Sequence, residues 1–269
     1  MGASRPRLAA RAALEHLAPG AYLALTSARA RRHSQRMFAR WGCLDLNHAL
    51  VAQLGHDVVD GPFAGLRLSP LALRDHIGPY LLGTYEHELH TTWRAFEHTR
   101  FSAIVDVGSR FGFYAVGLAR RHPRTPVTAV DPDHWARAAT RQMAAANATP
   151  QVRTTRRMTA ERLASMLPED ALVVSDCEGY ERTLFCGKRI PALRSATMVI
   201  EVHDAVAPGV GKAIAYRFSA SHDVQRIASE TSPPVPTADL EFLDDRQRRL
   251  AVNELRLSQD WLVLRPRRL

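Results

Sequence analysis

From residue 103 onward, short apolar runs alternate with stretches whose apolar residues recur every three or four positions. The runs at 103–107, 126–130, 171–175 and 197–202 are apolar on nearly successive residues, as strands covered on both faces are. A weaker strand is predicted at 152–156. Between the runs, 113–121, 134–147, 159–167 and 212–219 carry helical spacing. The first of these helices closes on Arg120, Arg121 and His122 before Pro123, and basic residues suit the negative end of a helix dipole. A polar strand at 223–228 and a terminal strand at 260–264 follow, separated by prolines and a polar segment. A hairpin or reversed strand fits that edge better than another crossover. The alternation predicts an α/β fold with a doubly wound, mostly parallel Rossmann-like sheet.

Before residue 98 the pattern changes. Helical spacing is predicted at 9–18, 27–42 and 47–55, with Pro19-Gly20 and Gly42 as separators and Gly55 as a stop. Residues 56–70 read as a hairpin around Asp60-Gly61-Pro62 and Gly65, and 83–100 as one more helical segment. The expected organisation is a helical and β-hairpin extension over 1–98 and a sheet domain over 99–269.

A chain of 269 residues is long enough for one sizeable α/β domain with a small accessory segment. No uncharged apolar run reaches the ~18 residues of a membrane span, and Glu15, His16 and Pro19 interrupt the apolar part of the N-terminus. The expectation is a cytoplasmic protein without a membrane span. Three cysteines, Cys43, Cys177 and Cys186, with no CxxC spacing, argue against a disulfide framework and a structural zinc site. The net charge of +9 is carried by arginine, Lys188 and Lys212 being the only lysines. The basic excess concentrates before residue 42, where Arg5, Arg7, Arg11, Arg29, Arg31, Arg32, Arg36 and Arg40 face only Glu15. That arm is where an acidic partner is worth testing. The sheet region lacks aromatic-rich basic strips, so nucleic acid is not an expected partner.

Three polar clusters stand at strand ends. After the first strand comes Asp106-Val107-Gly108-Ser109-Arg110-Phe111-Gly112, where glycine permits a tight turn and a helix N-terminus offers free N–H groups. Alone, such a turn also serves any strand-to-helix connection. Asp131 adds weight: it ends the second strand, where a carboxylate accepts hydrogen bonds from two ribose hydroxyls. Arg110 and Phe111 occupy positions where a dinucleotide pyrophosphate needs bare backbone, so a nucleoside bearing one amino-acid carboxylate fits better, with Arg110 placed to pair with it. The fourth strand ends in Asp176-Cys177-Glu178-Gly179-Tyr180-Glu181 and the fifth in Glu201-Val202-His203-Asp204. Ligands of open α/β sheets bind outside the carboxyl ends of the strands, so the clusters converge on one crevice.

These stretches resemble class I S-adenosylmethionine-dependent methyltransferases, and among them the FkbM-type group. GTYEHEL (83–89), IVDVGSRFGFYAVGLA (104–119), VTAVDPD (127–133), SDCEGYE (175–181) and VIEVHD (199–204) carry the resemblance, which spans roughly residues 83–264. Ser109-Arg110 departs from the small or amide pair common in this turn. The resemblance implies a Rossmann-like sheet with a reversed seventh strand and S-adenosyl-L-methionine as cofactor. Asp106, Gly108, Ser109, Arg110 and Gly112 would line its methionine side, and Asp131 with Pro132 the ribose. Asp176 would sit by the sulfonium, with Glu86 closing from the preceding helix. The reaction would be methyl transfer to a hydroxyl of a small molecule or glycan. His203 is the candidate base, since its ordinary pKa lies near working pH, with Glu178 as the alternative and Asp176 completing the catalytic set.

Other assignments stay open at this point. Asp176, Glu201 and Asp204 are the candidate ligands of a Mg²⁺ ion. HELH at 87–90 lacks the spacing of a helical zinc motif, which leaves His87 and His90 as surface histidines, and Cys177 fills space rather than attacking as a thiolate. A nicotinamide-dependent oxidoreductase is the alternative enzyme, and a non-catalytic module docking through the basic arm the alternative of another class.

Overall fold

A computed structural model describes residues 19–185, 193–230 and 234–267. The predicted helix at 9–18 and Cys186 lie outside them. Seven strands build one sheet: β1 (Ile104–Val107), β2 (Val127–Val130), β3 (Val152–Thr155), β4 (Leu172–Ser175), β5 (Thr197–Val202), β6 (His222–Ile227) and β7 (Asp260–Pro266), ordered β3-β2-β1-β4-β5-β7-β6. Neighbours through β5 pair in parallel, whereas β7 runs antiparallel to both β5 and β6. The Rossmann-like sheet with a reversed strand is therefore present. The reversed strand is inserted between β5 and β6 rather than placed at the edge.

Successive side chains of a strand point to opposite faces. Ile104, Leu172, Val174, Val199, Trp261 and Val263 enter one apolar cluster, and Val105, Val107, Val173, Ile200 and Leu262 the other. The helices are α1 (Pro19–Trp41), α2 (Cys43–Leu54), α3 (Gly78–Leu82), α4 (His90–Phe96), α5 (Phe113–Arg121), α6 (His134–Ala146), α7 (Ala160–Met166), α8 (Glu181–Phe185), α9 (Val210–Phe218) and α10 (Asp245–Val252). Leu163, Leu184, Ile214 and Phe218 of α7, α8 and α9 cover the second face. The first is covered by α5, α6 and residues before 98, among them Leu46, Leu50, Phe63, Leu81 and Trp93. By the same alternation, Asp106 of β1 and Glu201 of β5 fall on this first face, beneath the extension.

Four local expectations change. Pro19-Gly20 lies within α1, where a separator was expected. The 56–70 hairpin reduces to one antiparallel bridge, Asp57 to Arg67, with the Gly65 N–H donating to the Val58 carbonyl. Residues 83–100 are not one helix, because Gly83 ends α3 in the left-handed region and Glu86 also has a positive φ of 45°. Glu86 thus sits on a strained turn between helices. Lastly, α10 arises in the polar C-terminal segment on a capping box, Asp244 and Gln247 each accepting from the other's backbone N–H.

From β1 the chain steps outward to β2 and β3, then returns to β4 on the other side of β1. This reversal opens a crevice at the carboxyl ends of β1 and β4.

Candidate functional site

The turn after β1 is held from both sides. The Gly108 and Ser109 N–H groups donate to the Val130 carbonyl of β2, and the Asp176 N–H donates to Val107 of β1. Gly108 has a φ of +93°, and a Cβ there would lie 1.6 Å from the Asp176 carbonyl oxygen. Only glycine lets the turn approach β4 this closely. Asp106 accepts from the Ala115 N–H at 3.0 Å, tying β1 to the first turn of α5, and burial pushes its carboxyl up to about 7. The Ser109 hydroxyl is buried without a hydrogen-bond partner.

Asp131 ends β2, as expected. Its Oδ1 accepts from the Asp133 N–H at 2.8 Å and its Oδ2 from the Arg110 N–H at 3.1 Å. Burial raises its carboxyl to about 6, the two N–H groups opposing that rise. Pro132 is half-buried beside it. The Arg110 side chain does not face the crevice as expected. Its Nε and Nη2 donate to both oxygens of Asp75 at 2.8 and 2.6 Å, so the buried carboxylate of the extension takes the pairing assigned to a ligand. Asp133 caps α6 by accepting from the Trp135 N–H, and its other oxygen accepts from Arg31 of α1, whose guanidinium lies over the Trp135 ring. Arg31 of the basic arm therefore has its acidic partner within the chain.

Around the ends of β4 and β5 lies an acidic centre that sequence reasoning caught only in part. Arg256, on the loop between α10 and β7, donates to Glu201 and Glu88 at 2.8 Å each and to Glu254 at 2.5 Å, with Glu86 at 4.0 Å. The side chains of Glu86, Glu88 and Glu201 are at most 5% exposed. Burial holds the Glu86 carboxyl well above the usual range despite Arg256, and the Tyr114 hydroxyl donates to it. Arg256, Glu254 and Asp75 carried no sequence signal, since no local motif or spacing marks them, and Glu88 and Tyr114 lie within the stretches 83–89 and 104–119 without standing out there.

His203 follows β5 and is 1% exposed. Its Nδ1 lies 2.8 Å from Glu181 Oε1, and its Nε2 lies 3.3 Å from Glu201 Oε2 and 3.5 Å from Asp176 Oδ1 and Glu178 Oε2. Burial pulls the imidazole pKa down, but Glu181 and Glu201 outweigh it and carry the ring up to about 10. These carboxylates favour the protonated ring, which counts against His203 as the base. Asp176 is pushed well above the carboxylate range by burial and by Glu201. Glu178 is exposed and has a positive φ of 54°.

The Mg²⁺ ligand set also changes. Asp204 turns away, accepting from the Gly211 N–H at 3.2 Å and facing Arg226 at 3.4 Å. Among the described residues, the group whose ligand atoms lie within 4.8 Å of one another is Asp176, Glu178 and His203. Burial raises the Cys177 thiol well above its ordinary pKa, consistent with a space-filling role. His87 and His90 meet Glu230 and the Tyr85 carbonyl.

No family model matches the chain, and no curated protein does. Solved structures that resemble it include TrmN from Thermus thermophilus, 15% identical over 70% of this chain and 49% of that one, TM-score 0.43. An rRNA methylase from Streptococcus thermophilus is 11% identical over 67% and 97%, TM-score 0.47. A putative O-methyltransferase from Klebsiella pneumoniae is 13% identical over 85% and 99%, TM-score 0.46. The chain spans about half the length of the first of these.

Proposed function

We propose that this chain is an S-adenosylmethionine-dependent methyltransferase of class I and FkbM type, which methylates a hydroxyl of a small molecule or glycan. The observation that carries the reading is the convergence, at the β1/β4 switch point, of a glycine turn, the Asp131 carboxylate and an acid-rich rim. The residues present fit the cofactor. The unpartnered Ser109 hydroxyl can donate to its amino-acid carboxylate, helped by the N-terminus of α5. Each Asp131 oxygen accepts one backbone N–H and keeps a lone pair for a ribose hydroxyl. The buried Glu86 and Glu201 and the partly exposed Asp176 suit the positive ammonium and sulfonium.

When bound, the cofactor supplies a methyl group made electrophilic by the sulfonium charge. The chain's own residues then position the acceptor and take its proton. Asp176 and Glu178, both within 3.5 Å of His203 Nε2, are the carboxylates placed to accept it.

Isothermal titration with S-adenosyl-L-methionine tests the reading. Wild type is expected to bind, and Asp131→Ala to lose about 100-fold in affinity, the worth of two hydrogen bonds to a charged acceptor. Failure of wild type to bind, or equal binding by the variant, would sink it. The sign of the pH response follows from the raised Asp131 pKa of about 6. Affinity is expected to be full above that pH and to fall as the carboxylate takes up a proton below it. Titrations between pH 5 and 8 check this.

A further inference from the structure

We propose that His203, Asp176 and Glu178, with Glu201 beside them, form a binding site for one divalent transition cation of the Mn²⁺ or Zn²⁺ type. The first support is distance. Two donor atoms each ~2.1 Å from one ion, at tetrahedral or octahedral angles, lie about 3.0–3.4 Å apart. His203 Nε2 stands 3.3 Å from Glu201 Oε2 and 3.5 Å from both Asp176 Oδ1 and Glu178 Oε2. These separations are close to the edges of a ligand polyhedron, and the groups are poorly aligned for hydrogen bonds. His203 Nε2, on a side chain 1% exposed, has no in-line hydrogen-bond partner, and Asp176 Oδ1 is likewise buried and unpartnered. A buried polar atom left so is costly unless something sits between the groups.

The second support lies behind the ring. Glu181 is fully buried, places Oε1 2.8 Å from His203 Nδ1, and is held by the Cys177 N–H at 3.0 Å. A metal-ligating histidine characteristically gives its other N–H to a carboxylate, which fixes the tautomer and turns the free lone pair to the ion. Here that arrangement turns Nε2 toward Asp176, Glu178 and Glu201, where a bound ion would take the place of the Nε2 proton. A third feature is charge: those three carboxylates and Glu181 meet one imidazole, with Arg256 answering Glu201 from the far side. One imidazole with carboxylates suits Mn²⁺ or Zn²⁺ better than Mg²⁺, which prefers an all-oxygen shell.

What such an ion would do, orienting the acceptor hydroxyl, rests on the methyl-transfer reading. Its binding does not. The test is titration of Mn²⁺ and Zn²⁺ into untagged, metal-stripped protein, with the Mn²⁺ electron paramagnetic resonance signal as second readout. Wild type is expected to take up one equivalent of ion. His203→Ala should abolish uptake, Glu181→Gln weaken it 10–100-fold as loss of an outer-shell carboxylate does, and Glu178→Gln weaken it at least about 10-fold. Glu178 is 83% exposed, so its variant reports even where the buried ones fail to fold. No uptake by wild type, or unchanged affinity in Glu178→Gln, overturns the proposal. A parallel titration with S-adenosyl-L-methionine separates the two claims: ion uptake without cofactor binding would leave this site standing and remove the reading above, and the converse would do the opposite.

Discussion

Replacing Arg256 by methionine is expected to cost about 3–5 kcal/mol of stability, the penalty for removing one partner of a buried ion pair. The side chain neutralises Glu201, Glu88 and Glu254 at once, and methionine keeps most of its volume while leaving those carboxylates unanswered. Thermal unfolding should show a Tm lowered by about 10 °C. The pH dependence has a definite sign. Without Arg256 the folded-state pKa values of Glu86 and Glu254, already raised by burial, rise further. Their folded forms then favour the proton, so the penalty is largest at neutral and higher pH and shrinks as pH falls toward 5. A Tm gap that stays constant across that range would contradict the electrostatic account. Arg248→Met serves as control, since its pairing with exposed Asp245 should leave Tm unchanged.

Gly108→Ala should be at least as damaging. The new methyl would stand 1.6 Å from the Asp176 carbonyl oxygen, so the β1 turn or the end of β4 must move, and a φ of +93° adds strain of its own. A loss of at least about 3 kcal/mol in urea unfolding is expected. Gly209→Ala separates the two effects. Gly209 has a φ of +78° but open space where its Cβ would go, and its alanine should cost about 1 kcal/mol. Equal losses in both variants would show that conformation alone matters at Gly108. Because the displaced partner is Asp176, any Gly108→Ala protein that folds should also bind Mn²⁺ more weakly.

The sheet was legible because its strands carry a physical signature, apolar residues on both faces, and β5 and α5 run over the residues their patterns predict. The reversed strand was legible from the polar connection, which fits a hairpin or reversed strand better than another crossover. The helix α10 escaped, because its residues are polar around most of its surface and its capping box, not its periodicity, marks it. Within the site, Asp106, Gly108, Asp131 and Asp176 could be read from their places at strand ends. Arg110 could not be read correctly, because its partner Asp75 precedes it by 35 residues in a loop without a motif. His203 failed for another reason. A histidine's pKa is set by what surrounds it, and only folding brings Glu181 and Glu201 against the ring.

Three contacts across the sequence give the extension a further meaning. Arg31 reaches Asp133, Asp75 reaches Arg110, and Glu86 receives the Tyr114 hydroxyl, each joining a residue before 98 to one beside the crevice. A transplant of residues 99–269 alone into another scaffold would carry the strand ends but abandon their counter-ions. The crevice is thus a joint product of both stretches of chain, and a recombination experiment that exchanges the first 98 residues between relatives would alter cofactor grip along with acceptor choice.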